Sequence, residues 1–576
     1  MGGLRLPATA VAVCTALAVP VARAQDARFD TADSLYAAYE LCVGGRPFYR
    51  TFFARGWPTD RPHRRAALEL AAGSAGRTIR ATLASGAGLP LTVSVYQHHR
   101  RDLLLKAGKA GTRLEDLTRR DLGWFAARSG AERPPRGFVP TFLPVRRARA
   151  ALSQPWKDDD PSTWAWAPPR EESYTLEAVG FCLLAEAAYA REELTARRDD
   201  EERGGKASWV GHSPTGGLFG FLALQSASAK LLELKRSLVL DLERRAIVSR
   251  SSLRGLKPRD HCFPKAWTAK RSGDSARYSL PEGEDRFASR LGHQAAVLWA
   301  AARLAELSDP SGPEELRGLF EDQKVRGELL RIFLPSTHSD AVEVAVFVFR
   351  TISKLHVDVK GSAKVSSTAD RYQRGPTLTP TDLGLFLLAL EAFVRDVRLA
   401  PARRGKPGPE VAALKVEQGK AKTLLAELCK TFFAWRQNQS GLFYDSYSVR
   451  TATRQQRTRS LASQAFAIRG LLAAHRGLKA AADSSYLTVA KEVFALLDKE
   501  RWDPARRVYT EEKGSTVPLF GAAAVLGALR ELALTTGDGR YLTRFRQYLE
   551  GLERAGLFRA ANDKAPPGYV SELKLQ

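Results

Sequence analysis

Asp483-Ser484-Ser485-Tyr486-Leu487-Thr488 recurs 55 residues later as Asp538-Gly539-Arg540-Tyr541-Leu542-Thr543. Two copies of D-x-x-Y-L-T at one offset mark an internal repeat, and an internal repeat dictates architecture. In each copy apolar side chains follow at steps of four, three and four: Tyr486, Ala490, Val493, Leu497, and Tyr541, Phe545, Tyr548, Leu552. That spacing lays a stripe along one face of a helix. Upstream of each lies a second run, Leu461 to His475 and Val517 to Leu532, rich in alanine and leucine nearly all round. The unit is a helical hairpin: an inner helix covered on every side, then an amphipathic outer helix facing water.

The pattern extends toward the N-terminus. Leu291-Gly292-His293-Gln294-Ala295 matches Leu461-Ala462-Ser463-Gln464-Ala465, and Thr381-Asp382 opens a further apolar run through Val394. More hairpin starts fall near Tyr174, Leu218 and Asp340, giving six or seven. In the Asp340 segment, Val342 to Phe349 is rich in β-branched residues, so a buried strand competes there with a buried helix. One hairpin cannot bury its apolar face alone, so the array must stack into a solenoid or close into a ring. Pro168-Pro169, Gly216-Gly217, Gly375-Pro376 and Gly441 punctuate the connections, and Pro401 to Gly408 reads as a surface loop.

The alanine-rich inner helix, the D-x-x-Y-L outer helix and the aromatic, glycine-containing return Gly441-Leu442-Phe443-Tyr444-Asp445-Ser446-Tyr447 together resemble the α/α-toroid, or six-hairpin, superfamily of carbohydrate-active proteins. The resemblance spans residues 170 to 555 and is one of fold. It implies an all-α toroid of six to seven hairpins over residues 150–556, preceded by a mainly helical region at 25–149 and followed by a tail at 557–576. It also implies a substrate cleft at one end of the barrel, lined by the loops that enter the inner helices. One fold hosts several chemistries, so function must be argued from the site.

The ends and the charge bound the setting. Arg5, the apolar stretch Ala8 to Ala22 and the close Ala22-Arg23-Ala24 form the pattern of a secretory signal peptide. This predicts cleavage near Gln25 and a periplasmic or extracellular address, with no later run of ~18 uncharged apolar residues to span a membrane. The formal charge is +25, of which Arg5 and Arg23 supply two. So positive a field attracts polyanions. For an exported protein an acidic polysaccharide or another anionic envelope component is the expected partner, and nucleic acid is not. Each basic pair, such as Arg64-Arg65 or Arg403-Arg404, reads by itself as a solvated helix face. Cys42, Cys182, Cys262 and Cys429 are too far apart for a zinc site or a disulfide scaffold; one disulfide is compatible with an oxidising compartment.

Entrances to the inner helices supply the candidate site: Tyr174, Glu177, His293, Gln294, Arg371, Tyr372, Arg374, Asp382, Asp445, Tyr447 and Gln464. A glycoside hydrolase needs two carboxylates flanking the scissile bond. Asp382 and Asp445 supply that pair, although an N-cap for the first and a turn for the second are the plainer readings. A polysaccharide lyase needs a cation on the uronate carboxylate and a base for the adjacent proton. His293, Tyr447 and Arg374 suit those roles, with Arg371, Tyr372, Gln294 and Gln464 binding substrate. A sugar isomerase would require paired histidines, and a non-catalytic helical-repeat binder of the envelope is the rival to any enzyme. Gly211-His212-Ser213-Pro214-Thr215 fails the nucleophile-elbow pattern, and His98-His99 and Asp260-His261-Cys262 lack metal-ligand spacing. Asp158-Asp159-Asp160 lacks the alternation of a calcium loop. No metal and no cofactor is expected. Trp156, Trp164 and Trp166 share one proline-rich loop, where they either pack or stack on sugars.

Overall fold

A computed structural model describes residues 31–44, 48, 173–202, 218–272, 275–309, 334–358, 364–399, 409–437, 441–456, 458–479, 484–511, 514, 516–559 and 568–575. The signal-peptide pattern, the Trp156 loop and most of residues 25–149 lie outside these. Eleven helices carry the described chain: α1 (Ala32–Gly44), α2 (Leu176–Glu202), α3 (Leu218–Ser237), α4 (Leu291–Leu307), α5 (Leu334–Leu355), α6 (Pro380–Asp396), α7 (Pro409–Gln437), α8 (Leu461–Gly477), α9 (Ser485–Arg501), α10 (Leu519–Thr536) and α11 (Gly539–Arg554).

The chain is an α/α toroid. Its inner ring runs α1, α2, α4, α6, α8, α10 and back to α1, each helix packed on the next. The outer helices α3, α5, α7, α9 and α11 lean on the inner helix that precedes each of them. The two classes differ as the sequence predicts. Nearly every residue of α10 from Leu519 to Ala533 is buried, whereas α11 buries only a stripe that includes Tyr541, Phe545, Tyr548 and Leu552. By length and hydropathy alone α10 is apolar enough to cross a membrane, yet it carries Arg530 and Glu531 and lies inside the ring. The Asp340 segment is helical throughout: α5 buries Thr337, Ala341, Val344, Val348 and Ile352, a helical spacing that overrides its β-branched composition.

Neighbouring inner helices approach closely because small residues face each other. A side chain at Gly180 would meet the Ala296 Cβ at 2.7 Å, and one at Gly384 would collide with the Phe466 carbonyl. Helix α1, assigned from the sequence to the region before the toroid, occupies the sixth place in the ring, between α10 and α2. Buried ion pairs fasten it there: Glu40 lies 2.6 Å from Arg469 of α8 and 2.5 Å from Arg530 of α10. Tyr36 accepts a further hydrogen bond from Arg469.

Short strands carry the chain from each outer helix into the next inner one. Ser173–Thr175 pairs antiparallel with Ala266–Ser272 before α2, Ser289–Arg290 with Thr368–Ala369 before α4, and Thr377–Leu378 with Tyr447–Ser448 before α6. The C-terminal strand Glu572–Lys574 pairs with Thr516–Pro518 ahead of α10, so the described part of the expected tail helps to start an inner helix. All inner helices enter from one end, the N-terminal mouth, and their C-terminal turns meet at the other, the C-terminal mouth.

Candidate active site at the N-terminal mouth

The L-x-x-Q-A repeat has a mechanical meaning. Gln294, one turn into α4, donates from Nε2 to the Phe263 carbonyl at 2.7 Å. Gln464 at the matching position of α8 both accepts from Phe443 N–H and donates to its carbonyl, each at 2.8 Å. Both glutamines are fully buried. They clamp the incoming loop to the helix, and neither faces a substrate space.

The residue before each glutamine points to a different fate. Ser463 donates to Asp445, which also accepts from Ser460 N–H and Oγ, so that carboxylate is committed to the start of α8. His293 instead faces Glu177 across the gap between α4 and α2, with Nε2 3.5 Å from Oε2. That separation is too long for a strong hydrogen bond, so both heads remain available to a third group. Their side chains keep 16% and 29% of their surface exposed, at the floor of a crowded recess.

Local structure sets this pair. Thr175 caps α2 by accepting from Ala178 N–H, and Leu176 N–H donates to the Lys265 carbonyl, which fixes Glu177 in the first helical turn. Tyr174 stacks on Trp267 beneath it with ring centroids 5.8 Å apart. Leu291 N–H donates to the Ser367 carbonyl and positions His293 likewise. Asp382, in the first turn of α6, donates its N–H to the capping hydroxyl of Thr379. Its carboxylate reaches across to α4, where a side chain at Gly292 would collide with Oδ1.

Burial, and then the nearby charge of Asp382, raise the Glu177 carboxyl to about 7, against a smaller pull from Arg290. Burial, and then Arg290, lower the His293 imidazole to about 4. Asp382 and the Lys265 main chain oppose that shift without cancelling it. The usual order of proton affinity is therefore inverted. Near neutrality the carboxyl group is about half protonated and the imidazole is neutral. His293 Nδ1 is buried without a well-formed hydrogen bond.

Arg290 connects this recess to a second feature. It is exposed and lines a hollow of about 900 Å³ together with Arg245, Arg286, Arg371 and Arg374, against Phe287 and Tyr372. Arg371 is anchored by Asp260 at 3.0 Å and Glu243 at 3.5 Å. Arg374 donates to the Leu355 and Lys354 carbonyls at the end of α5. Tyr372 is 74% exposed. Of the five residues expected to contact substrate, Arg371, Tyr372 and Arg374 thus share one basic hollow, in which Arg371 and Arg374 also have structural partners.

The remaining candidates separate from this group. Tyr447 is buried, stacks on Trp435 at 4.1 Å and accepts from Tyr444 N–H. Its neighbour Tyr444 carries the perturbed phenol: Arg459 and Arg454 both donate to its hydroxyl and hold it below the usual tyrosine value. Of the two carboxylates expected to act as a pair, Asp382 lies against the start of α4 and Asp445 accepts from Ser460 and Ser463 at the start of α8. Glu177 and Arg290 are the residues that sequence reasoning undervalued. The signal for Glu177 was its place in the first turn of an inner helix, as for His293. Among the described residues no group of three His, Cys, Asp or Glu is arranged to hold a metal ion. The four described cysteines are separate buried thiols.

Neither a family model nor a curated protein matches the sequence. Among solved structures, a D-mannose isomerase aligns over 76% of this chain and 89% of its own, at 12% identity and a TM-score of 0.40. A sugar epimerase from a ruminal bacterium aligns over 50% and 81%, at 8% identity and a TM-score of 0.25. Likenesses this remote leave the chemistry to be argued from the site itself.

Proposed function

We propose that this toroid is a carbohydrate-active enzyme that moves protons on an anionic saccharide, with Glu177 and His293 as its acid and base. The observation that carries the reading is the inverted pair: a carboxyl group that titrates near neutrality, facing a neutral imidazole 3.5 Å away. General acid–base catalysis works best when a group titrates near the operating pH, as Glu177 does at about 7; His293, lowered to about 4, is always unprotonated there but is the weaker base. His293 removes a proton beside a sugar carboxylate, Glu177 delivers one to the departing or neighbouring oxygen, and Arg290 neutralises the charge that develops. The arginine hollow holds the anionic flank of the substrate. Six helix N-termini converge on the same mouth and favour negative charge there. An exported protein with the signal-peptide pattern at residues 1–24 would meet such a polymer outside the cytoplasm.

A second reading is favoured by the closeness of Asp382 to Glu177. Two carboxyl groups in one recess, that of Glu177 holding its proton more tightly than usual, are also the equipment of a hydrolase. One experiment separates these. Purified protein is incubated in D2O with uronate-containing and neutral oligosaccharides, and the products are followed by unsaturated-uronate absorbance, reducing ends and deuterium incorporation at carbon. Proton-transfer chemistry predicts absorbance or carbon-bound deuterium, reduced by about 10²–10⁴ in His293→Ala and Glu177→Gln. Reducing ends alone, lost in Glu177→Gln and Asp382→Asn but retained in His293→Ala, select the hydrolase. No product from any substrate contradicts both and leaves a binding protein.

A further inference from the structure

The C-terminal mouth holds a cavity of about 510 Å³ with no part in the chemistry above. That size lies within the usual range for small-molecule sites. One side is apolar, formed by Leu184, Leu388 and Leu534. The other is charged, and its acids are already occupied. Glu531 is held by Arg469 and Arg476, Glu391 by Arg395 and Arg476, and Glu306 by Arg191 and Arg303. Each wall carboxylate thus has at least two guanidinium partners, which leaves little capacity there for a cationic ligand, and Arg303, Arg476 and Arg530 each hold two carboxylates in return.

Three further polar groups stand on the walls. Tyr39 and Trp299 line the cavity and are 5% and 2% exposed. The Thr535 hydroxyl is buried and unpaired. A buried polar group normally finds a partner, and an unpaired one at a cavity wall, as at Thr535, calls for an explanation. Indole N–H can only donate, and hydroxyls donate readily. Two of the three are nine-tenths buried, and all three line the same space as the guanidinium groups of Arg303, Arg476 and Arg530.

We infer that this cavity is a second ligand site, built for a small amphipathic carboxylate. The carboxylate accepts from Tyr39, Trp299 and the arginine-rich wall, while the apolar body lies against Leu184, Leu388 and Leu534. On α4 the nearest wall residue, Trp299, lies six residues beyond His293, about 9 Å of helix rise, and the site does not depend on the function proposed at the Glu177–His293 recess.

The test is calorimetric titration of the full chain with benzoate and with octanoate, with benzyl alcohol and glucuronate as controls. Saturable binding of at least one apolar carboxylate is expected, weakened about tenfold by Tyr39→Phe and by Trp299→Phe, each of which deletes one donor and keeps the ring. Binding should be unchanged in His293→Ala, and weak or absent for benzyl alcohol and glucuronate. Thermal melts check that the variants fold; if Trp299→Phe does not, Tyr39→Phe alone decides. Absence of saturable binding, equal affinity for benzyl alcohol, indifference to both donor deletions, or loss of binding in His293→Ala would each overturn the assignment.

Discussion

The two mouths of the ring are built from opposite ends of the same six helices, and they have opposite electrostatic tasks. At the N-terminal mouth the helix dipoles present partial positive charge, and acids stand at the helix starts, Glu177, Asp382 and Asp445, with Glu511 accepting from Leu461 N–H, beside the hollow of five arginines. At the C-terminal mouth the dipoles are negative, and Arg303, Arg395, Arg476 and Arg530 stand there, each paired with acids such as Glu306, Glu391 and Glu531. The C-terminal end is cross-linked by ion pairs that join α1, α4, α6, α8 and α10. The N-terminal end leaves one pair, Glu177 and His293, without a strong mutual bond. One mouth ties the ring together, and the other keeps reactive groups in an unfavourable but usable state.

This division can be broken at its stronger end first. Arg469→Met leaves Glu40 and Glu531 buried with fewer partners and should destabilise by about 3–5 kcal/mol, read as a large fall in melting temperature. A loss below about 1 kcal/mol would mean that the ion-pair network does not close the ring. Gly384→Ala forces a methyl group into the Phe466 carbonyl between α6 and α8. It should cost about 1–3 kcal/mol in chemical denaturation.

The N-terminal mouth should respond in the other direction. The raised Glu177 value means that the folded state holds a proton the unfolded state has released, so wild-type stability falls as pH rises from 4.5 through 7. Glu177→Gln escapes that loss and should gain on the order of 1–2 kcal/mol at pH 8 and nothing at pH 4. His293 and the buried His356, each lowered to about 4, act oppositely. The unfolded chain protonates them below 6.5 while the folded chain does not, so stability is lost as pH falls from 6.5 toward 4. Denaturation midpoints across pH 4 to 8 give both slopes. The smallest effect is expected at Tyr372→Ala: the side chain is exposed, so stability should change by no more than about 0.5 kcal/mol, while affinity for an anionic saccharide drops measurably.

Much of the fold was legible because repetition amplifies weak signals. The paired D-x-x-Y-L-T starts gave two outer helices, and the matching L-x-x-Q-A starts gave two inner ones whose glutamines do the same job. Helix α1 escaped because its partners, Arg469 and Arg530, lie more than four hundred residues away, and no local pattern reports a closure of that kind. Asp445 and Tyr447 had the right chemistry at the right entrance, yet a carboxylate capping a helix and one poised to react look identical in sequence. The difference lies in who donates to them. Glu177 shows the reverse: its raised proton affinity comes from burial and then from Asp382, both supplied by neighbouring segments.

The most direct test of the central claim is an NMR titration of the wild-type protein beside Glu177→Gln and His293→Gln. The account predicts that the imidazole resonance missing from His293→Gln stays neutral from pH 8 down to about 5. It also predicts that the carboxyl resonance missing from Glu177→Gln titrates near 7. An imidazole midpoint near 6.5, with the carboxyl titrating near 4.5, would contradict it.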